Sequence, residues 1–155
     1  MSQIEAAVMA IAAGVDGYRV IVTKSTVPVG TGAFIRDLVA RLNGGREFDV
    51  VANPEFLREG SAVNDFLRPD RVVIGTTSER AAAVMREIFR PLYLIETPIV
   101  FTDLETAEMI KYASNAFLAN KISFINEVAT ICEHLDADVN AVVEGMALDT
   151  RIGRQ

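Results

Sequence analysis

Short apolar runs alternate with longer amphipathic segments over the first part of the chain. Runs of β-branched and aromatic residues between turn residues predict strands, and apolar residues at intervals of three and four predict helices. The predicted strands are Tyr18–Thr23, Phe48–Ala52, Arg71–Gly75 and Pro98–Phe101, and the predicted helices are Glu5–Ala13, Ala33–Leu42 and Glu79–Phe89, the last begun by Thr76, Thr77 or Ser78. Strands that alternate with helices indicate an α/β fold with a mainly parallel sheet.

The pattern changes after Phe101 to that of one long helix. Residues Thr102–Glu105 have the spacing of a capping box, and neither Gly nor Pro interrupts residues 105–135. Such a helix is about 45 Å long at 1.5 Å per residue, which is more than one small sheet can cover. We therefore expect it to pack also on another domain or on a partner chain. A short helix over residues 138–146 follows.

Composition narrows the class of protein. The chain has 155 residues, of which 50% are hydrophobic, and this is enough for a core. The net charge of -6 and the lack of a basic stripe argue against a nucleic-acid partner, and no apolar run is long enough to cross a membrane. The single cysteine excludes an internal disulfide and a cysteine-based zinc cluster. We expect a soluble cytoplasmic protein without a metal site.

The first polar cluster, Lys24-Ser25-Thr26, directly follows the first predicted strand. Ligands of open α/β sheets bind beyond the carboxyl ends of the strands, and hydroxyls and backbone amides there can hold a ribose or a phosphate. The structural alternative is a helix N-cap, because Ser and Thr are common in that position. The nearby Gly30-Thr31-Gly32 lacks the third glycine of a dinucleotide-binding fingerprint.

The second polar cluster, Asn53–Gly60, follows the second predicted strand. Glu55 and Glu59 are four residues apart, and they would share one face of a helical turn opened by Pro54. A carboxylate in a cleft can act as a general base or position a water molecule. Acidic residues are also common near helix N-termini, where they favour the macrodipole, so spacing alone leaves both interpretations open.

Lys111 and Asn115 share one face of the long predicted helix, near its apolar stripe. A lysine there can stabilise an oxyanion, with the amide donating hydrogen bonds beside it. The structural alternative is a half-exposed lysine whose stem covers apolar surface. Cys132 lies in the stripe itself and is expected to be a buried structural thiol. His134, close to the helix end, fits a C-terminal capping role better than catalysis.

Several long stretches of the sequence resemble the UDP-glucose/GDP-mannose dehydrogenase family. They are Val20–Thr31, Asn53–Phe66, Arg68–Arg71, Glu108–Ala119 and Asp149–Gly153. These ordered matches extend over nearly the whole chain, and they look most like the bacterial members of the family that oxidise UDP-glucose.

The resemblance implies a fold and an activity. Residues 1–101 would form the second half of a Rossmann-like NAD-binding domain, and residues 102–155 would form part of a central helical domain. The implied enzyme oxidises UDP-glucose to UDP-glucuronate with two NAD, by way of a thiohemiacetal and a thioester on an active-site cysteine. The implied partner is a second copy of the chain, bound through the long helix 105–135.

The matched positions imply a role for each candidate residue. Those implied to take part in catalysis are Thr26, Glu55, Glu59, Lys111 and Asn115; in the family Glu55 assists thioester hydrolysis and Lys111 stabilises the oxyanion at C6. Those implied to contact NAD are Ser25, Thr26 and Glu59. Those implied to bind the sugar nucleotide are Glu55, Phe56, Leu57, Arg58, Lys111, Asn115 and Arg151, the last often on a substrate held by the neighbouring subunit.

Two features of the family have no counterpart among these residues. The G-x-G-x-x-G turn for the pyrophosphate is not present, and Cys132 does not match the nucleophilic cysteine, which in the family follows the region of Arg151–Gly153. We therefore expect an internal segment of such an enzyme that is inactive by itself. The alternatives are a dehydrogenase of another nucleotide sugar, such as GDP-mannose or a UDP-N-acetyl sugar, and an inactive module that dimerises through the long helix.

Overall fold

A computed structural model describes residues 2–14 and 16–153, which form two compact units that divide between Tyr112 and Ala113. Within these ranges the strands are β1 (Arg19–Thr23), β2 (Phe48–Ala52), β3 (Val72–Gly75) and β4 (Ile99–Thr102). The helices are α1 (Ser2–Gly14), α2 (Thr31–Leu42), α3 (Ala62–Leu67), α4 (Glu79–Ile88), α5 (Leu104–Leu135) and α6 (Val139–Ala147), and a short 3-10 helix, Arg90–Ile95, follows α4. The predicted elements are confirmed, with ends that differ by at most three residues; the largest difference is at α1, which begins at Ser2 and not at Glu5.

The four strands described in the first unit form one sheet in the order β1-β2-β3-β4. β1 pairs with β2 in parallel, and β3 pairs with β4 in parallel. β2 and β3 are antiparallel and meet at Ala52 and Gly75. The prediction of a mainly parallel sheet is thus confirmed, with one antiparallel junction. The connection over residues 53–71, which contains α3, is long enough to let β3 run either parallel or antiparallel to β2. The apolar pattern therefore did not determine the direction of β3.

Alternating side chains place a hydrophobic core on each face of the sheet, because successive residues of a strand point to opposite sides. On one face the strands contribute Ile21, Val50, Ala52 and Val73, which cluster with Val8 of α1, Ile35 and Val39 of α2, and Leu104 and Ala107 of α5. On the other face Val51, Val72 and Ile74 cluster with Ala81 and Met85 of α4. The first unit therefore has helix, sheet and helix layers, as the α/β pattern predicts.

The start of α5 packs against the end of β3 without an intervening side chain. A Cβ atom at Gly75 would lie 2.5 Å from the Cβ of Ala107 and 2.6 Å from the carbonyl oxygen of Asp103. Real Cβ contacts are not that short, so only glycine allows the helix to approach this closely. The first turns of α5 are thereby placed beside the carboxyl end of β3.

The capping box predicted for α5 is wrong by one residue. Thr102 is the last residue of β4, where it pairs with Gly75, so its backbone belongs to the sheet. Asp103 takes the capping role instead, and its Oδ1 accepts the N–H of Thr106 at 2.7 Å. At α4, Ser78 is the N-cap among the three predicted candidates, with its hydroxyl accepting the N–H of Ala81 at 3.2 Å.

The second unit contains the remainder of α5 together with α6. Cys132 is buried, as predicted for a structural thiol. His134 lies in the last turn of α5, where its Nδ1 is 2.7 Å from the carbonyl oxygen of Thr130. Several large apolar side chains of this part of α5 are exposed, namely Phe117, Leu118, Ile122, Phe124, Ile131 and Leu135.

Across residues 2–14 and 16–153, none of the helices combines the length and the apolar character needed to cross a membrane.

Candidate active site

A cleft lies at the carboxyl ends of β1 and β2, beside the first turns of α5. It contains about 210 Å³ of free space, part of it open to solvent. The residues that line it are Thr23, Ser25, Thr26, Val27, Ala52, Pro54, Glu108 and Lys111. The cleft thus brings together the two polar clusters that follow the strands and the lysine of the long helix, which are far apart in sequence.

Ser25 and Thr26 are exposed at the cleft and do not cap a helix. The capping interpretation is wrong because α2 begins only at Thr31, and its N-cap is Gly30, which has no side chain to donate or accept. Gly30 has a φ of 92°, a left-handed conformation that glycine adopts at low cost. The two hydroxyls are therefore left at the carboxyl end of β1, where a ligand can reach them.

Asn53 joins the ends of three strands at the floor of the site. It is only 2% exposed, its backbone N–H donates to the carbonyl of Thr23 at 2.9 Å, and its Nδ2 donates to the carbonyl of Val73 at 2.7 Å. Its Oδ1 accepts a hydrogen bond from Nζ of Lys24 at 3.0 Å. Partial burial lowers the pKa of Lys24 below its ordinary value, and the Glu55 carboxylate opposes that shift.

Glu55 forms an ion pair with Lys111, which lines the cleft. Nζ of Lys111 lies 3.5 Å from Oε2 of Glu55, and the same oxygen accepts the backbone N–H of Leu57 at 2.9 Å. Lys111 is only 6% exposed, so the interpretation as a half-exposed lysine is wrong. A buried ammonium group requires a partner, and here the partner is the carboxylate of the second polar cluster.

The ring of Phe56 lies close to two cations. Nζ of Lys111 is 5.2 Å from the centroid of the ring, and Cζ of Arg71 is 3.8 Å from the same centroid. Both distances fall within the range of cation–π attraction. The ring therefore helps to hold the ammonium group of Lys111 beside Glu55.

Glu55 and Glu59 do not share a helical turn, so that prediction is wrong. Residues 53–58 are not helical, and Glu59 is exposed in a turn that includes Gly60, where φ is 83°. The hydrogen bonds of Asn53 to β1 and β3 hold the chain in extended form at the edge of the sheet, directly before Pro54. Glu55 points to the cleft, whereas Glu59 is presented to solvent.

Arg58 is held by a buried carboxylate. Its Nη2 and Nε donate to the two oxygens of Asp65 at 2.6 and 3.1 Å, and its backbone N–H donates to Oδ2 at 2.9 Å. The hydroxyl of Ser61 also donates to Oδ2, at 3.0 Å. These bonds, first of all those from the Arg58 side chain, hold the pKa of Asp65 well below its usual range. Asp65 thus fixes the loop after Phe56 while the Arg58 side chain stays largely exposed.

Two of the predicted site residues, Asn115 and Arg151, lie in the second unit. Arg151 is exposed and pairs with Asp149, whose Oδ2 accepts from Nη2 at 2.7 Å and whose Oδ1 accepts the backbone N–H at 2.9 Å. Hydrogen bonds from Arg151 hold the pKa of Asp149 below its ordinary value. The first unit alone therefore brings together Ser25, Thr26, Glu55, Phe56 and Lys111.

Glu108 is a cleft residue that the sequence interpretation missed. It is 3% exposed and accepts the backbone N–H groups of Gly30 and Gly32 at 2.6 and 2.7 Å. The position of Glu108 in the buried face of α5 could have identified it from the sequence. The buried residues of that face are Leu104, Ala107, Glu108 and Lys111, at helical intervals. A carboxylate at such a position must have partners, and this requirement marks it as a candidate.

Comparison with known proteins identifies the family. Residues 1–93 match the NAD binding domain of the UDP-glucose/GDP-mannose dehydrogenase family, and residues 105–155 match its central domain. The chain belongs to this family of dehydrogenases.

Particular relatives agree with this assignment. The chain is 53% identical to the UDP-glucose 6-dehydrogenase TuaD of Bacillus subtilis over 156 residues, which cover 100% of this chain and 33% of that protein. A solved UDP-glucose dehydrogenase from the archaeon Pyrobaculum islandicum is 45% identical, with a TM-score of 0.92 over 98% of this chain and 35% of its own. A GDP-mannose dehydrogenase from Pseudomonas aeruginosa is 32% identical, with a TM-score of 0.88 over 96% of this chain and 35% of its own.

The chain spans about a third of the length of the curated relatives it matches. The α/β architecture that it shares with the solved dehydrogenases confirms the predicted fold class, a partial Rossmann-like sheet followed by a long helix and a short helical segment.

Replacing Asp65 should change how acid destabilises the first unit. Because the pKa of Asp65 is lowered in the folded chain, its ionised form stabilises the fold above the ordinary aspartate pKa of about 3.9, and this stabilisation is lost as the pH falls below that value. Urea denaturation between pH 3 and 7 should therefore show Asp65→Asn less stable than the wild type at neutral pH, with the difference shrinking in acid.

Asp70→Asn is the matched control, since it removes an exposed carboxylate from the same connection. Like the wild type, Asp70→Asn should lose stability as the pH falls from 7 to 3, and this loss should be larger than that of Asp65→Asn. Equal stability of the wild type and Asp65→Asn at every pH would contradict the role given to this carboxylate.

Proposed function

We propose that this chain supplies the acid–base and oxyanion-stabilising groups of an NAD-dependent nucleotide-sugar 6-dehydrogenase, with UDP-glucose as its substrate. The observation that carries the proposal is the pairing of Glu55 with the buried Lys111 in a cleft at the carboxyl ends of β1 and β2. A carboxylate and an ammonium group held together at that edge fit a reaction in which a proton leaves and negative charge develops on oxygen. The 53% identity to a UDP-glucose 6-dehydrogenase supports the choice of substrate.

Lys111 stabilises the negative charge that develops on the oxygen at C6 of the sugar. Its burial removes competing water, and an electrostatic contact is stronger in such surroundings than in solvent. The packing of Phe56 against its ammonium group limits where that group can move. Asn115, four residues further along α5, is proposed to donate a hydrogen bond to the same oxygen.

Glu55 removes or relays a proton, directly or through one water molecule. In the family this residue type assists hydrolysis of the acyl intermediate, and Oε2 of Glu55 lies 3.5 Å from Nζ of Lys111, the proposed oxyanion-stabilising group. Conversion of an alcohol to a carboxylate releases four electrons, which two NAD molecules accept as hydride.

The nicotinamide end of NAD is proposed to bind at the mouth of the cleft. The hydroxyls of Ser25 and Thr26 are exposed there, at the position where open α/β sheets bind ligands. We propose that these two residues and Glu59 contact the cofactor. The sugar nucleotide is proposed to contact Phe56, Leu57 and Arg58. Arg151 is proposed to reach a substrate held by a neighbouring subunit.

A second candidate function is the oxidation of another nucleotide sugar. The similarity to a GDP-mannose dehydrogenase, at 32% identity with a TM-score of 0.88, favours GDP-mannose as the alternative to test. Glu55 and Lys111 would act in the same way on either substrate, because both groups act at the oxidised carbon of the sugar and not at the nucleobase.

Titration calorimetry with NAD, UDP-glucose, UDP-glucuronate and GDP-mannose tests the proposal. We expect UDP sugars to bind more tightly than GDP-mannose. The substitution Lys111→Met should weaken the binding of UDP-glucuronate more than the binding of UDP-glucose. The product carries a carboxylate where the oxyanion forms, and a hydrogen bond to a charged group is worth about 1.5–3 kcal/mol, or roughly 10- to 100-fold in affinity.

Lys121→Met is the control for that titration, because it removes a lysine of the same helix that does not line the cleft. It should leave all four affinities unchanged. Tighter binding of GDP-mannose would favour the second candidate, and binding of none of the four compounds would leave only the inactive dimerisation module.

We also propose that residues 1–101 belong to the NAD-binding domain and residues 102–155 to the central domain, and that the protein is a cytoplasmic homodimer joined through helix 105–135. Support for the dimer comes from three apolar residues spaced by seven, Phe117, Phe124 and Ile131, which form one exposed stripe on α5. Such a stripe is the pattern by which helices associate.

Sedimentation equilibrium tests the dimer. The wild-type chain should sediment as a dimer, and Phe124→Asp should shift it to a monomer because a charge is placed in the apolar stripe. Ser123→Asp adds the same charge to the adjacent exposed position and should leave the dimer intact. A stable dimer has a dissociation constant well below a concentration on the order of 100 µM. A wild-type chain that is still monomeric at that concentration would overturn the proposal.

A further inference from the structure

The carboxylate of Glu108 closes the N-terminus of α2. A helix N-terminus carries unpaired N–H groups and partial positive charge, and it attracts anions. Here Oε2 of Glu108 accepts the N–H of Gly30 at 2.6 Å, and Oε1 accepts the N–H of Gly32 at 2.7 Å. The anion at this helix end is therefore a side chain of α5, and a phosphate would have to displace it.

Glycine at position 32 allows this contact. A Cβ atom at Gly32 would lie 3.1 Å from a methyl carbon of Leu104 and 3.2 Å from Oε1 of Glu108, which is tighter than ordinary contact. Gly30 contributes differently, since its left-handed φ of 92° directs the chain into α2 with its N–H toward the carboxylate. Both glycines thus serve the approach of α5 to α2.

Glu108 and Lys111 lie three residues apart on the same buried face of α5, and both line the cleft. Fixing the carboxylate to the α2 N-terminus fixes the rotation of α5 about its own axis at this turn. That rotation determines whether Nζ of Lys111 reaches Oε2 of Glu55, which is 3.5 Å away.

We infer that Glu108 is a positioning residue for the reaction: its two hydrogen bonds hold α5 in the rotation that places Lys111 beside Glu55. The inference rests on the proposed function only for the role of Lys111, and not for the geometry. Each oxygen of Glu108 already accepts a backbone N–H, so Glu108 acts on the reaction through the position of Lys111.

The NMR signal of the Lys111 side chain tests this without cofactor or substrate, so its outcome is separate from that of the calorimetry. The chain contains three lysines, Lys24, Lys111 and Lys121, so 13C-labelled lysine gives few signals. The Lys111 side chain lies against the ring of Phe56 and should have ring-shifted ε protons. In Glu108→Ala that signal should move toward the position of an exposed lysine.

Acetate should restore the signal in Glu108→Ala. The substitution removes a CH2–COO group, and acetate has the size and charge to occupy the space and accept both N–H groups. Chloride at the same ionic strength should have no effect. Glu105→Ala, which removes an exposed carboxylate one turn earlier on α5, should leave the signal as in the wild type with or without acetate.

Glu108→Gln gives a second variant that keeps the space filled if Glu108→Ala does not fold. Its amide oxygen can accept one N–H, but its NH2 group faces the other N–H as a second donor. The Lys111 signal should then lie between those of the wild type and an exposed lysine. A wild-type signal in either folded Glu108 variant without acetate, or a displaced signal in Glu108→Ala that acetate does not move, would overturn the inference.

Discussion

The close approach of α5 to two glycines is the constraint on which the candidate site depends. At Gly75 the helix lies so near the end of β3 that no Cβ atom fits, and at Gly32 the space is filled by Leu104 and Glu108. Because protein interiors are close-packed, such contacts leave little freedom in the position of the helix. The next turn of α5 then carries Lys111 into the cleft at the ends of β1 and β2. Two small residues thus set the place of a buried cation at the cleft.

Two charged side chains of α5 are buried at this point, and burial of charge is costly unless each charge is paired. Glu108 is compensated by two backbone N–H groups, and the geometry of those bonds is good. Lys111 is compensated less fully, by a carboxylate at 3.5 Å and by the ring of Phe56. A charge with incomplete pairing is typical of a site built to bind or stabilise something else, and this distinguishes Lys111 from the structural Glu108.

Sequence patterns were sufficient for the elements and for the two polar clusters after β1 and β2, because strand and helix periods and the position of strand ends follow from local chemistry. They were insufficient where a side chain depends on a distant partner. The role of Glu108 depends on its hydrogen bonds with Gly30 and Gly32, which are far away in sequence. The non-helical course of Glu55 depends on Asn53 bonding to β1 and β3, and the direction of β3 depends on how a long connection returns.

Hydrogen exchange of the backbone amides of Gly30 and Gly32 measures directly whether α5 is fixed to α2, because protection of these amides reports whether the Glu108 carboxylate holds them in solution. Both amides should exchange as slowly as those within β1 and α2, and far more slowly than that of Gly60 in its exposed turn. Exchange of Gly30 and Gly32 at the rate of Gly60 in the folded chain would contradict this expectation, because α5 would then not be fixed to α2 at the point from which Lys111 is placed.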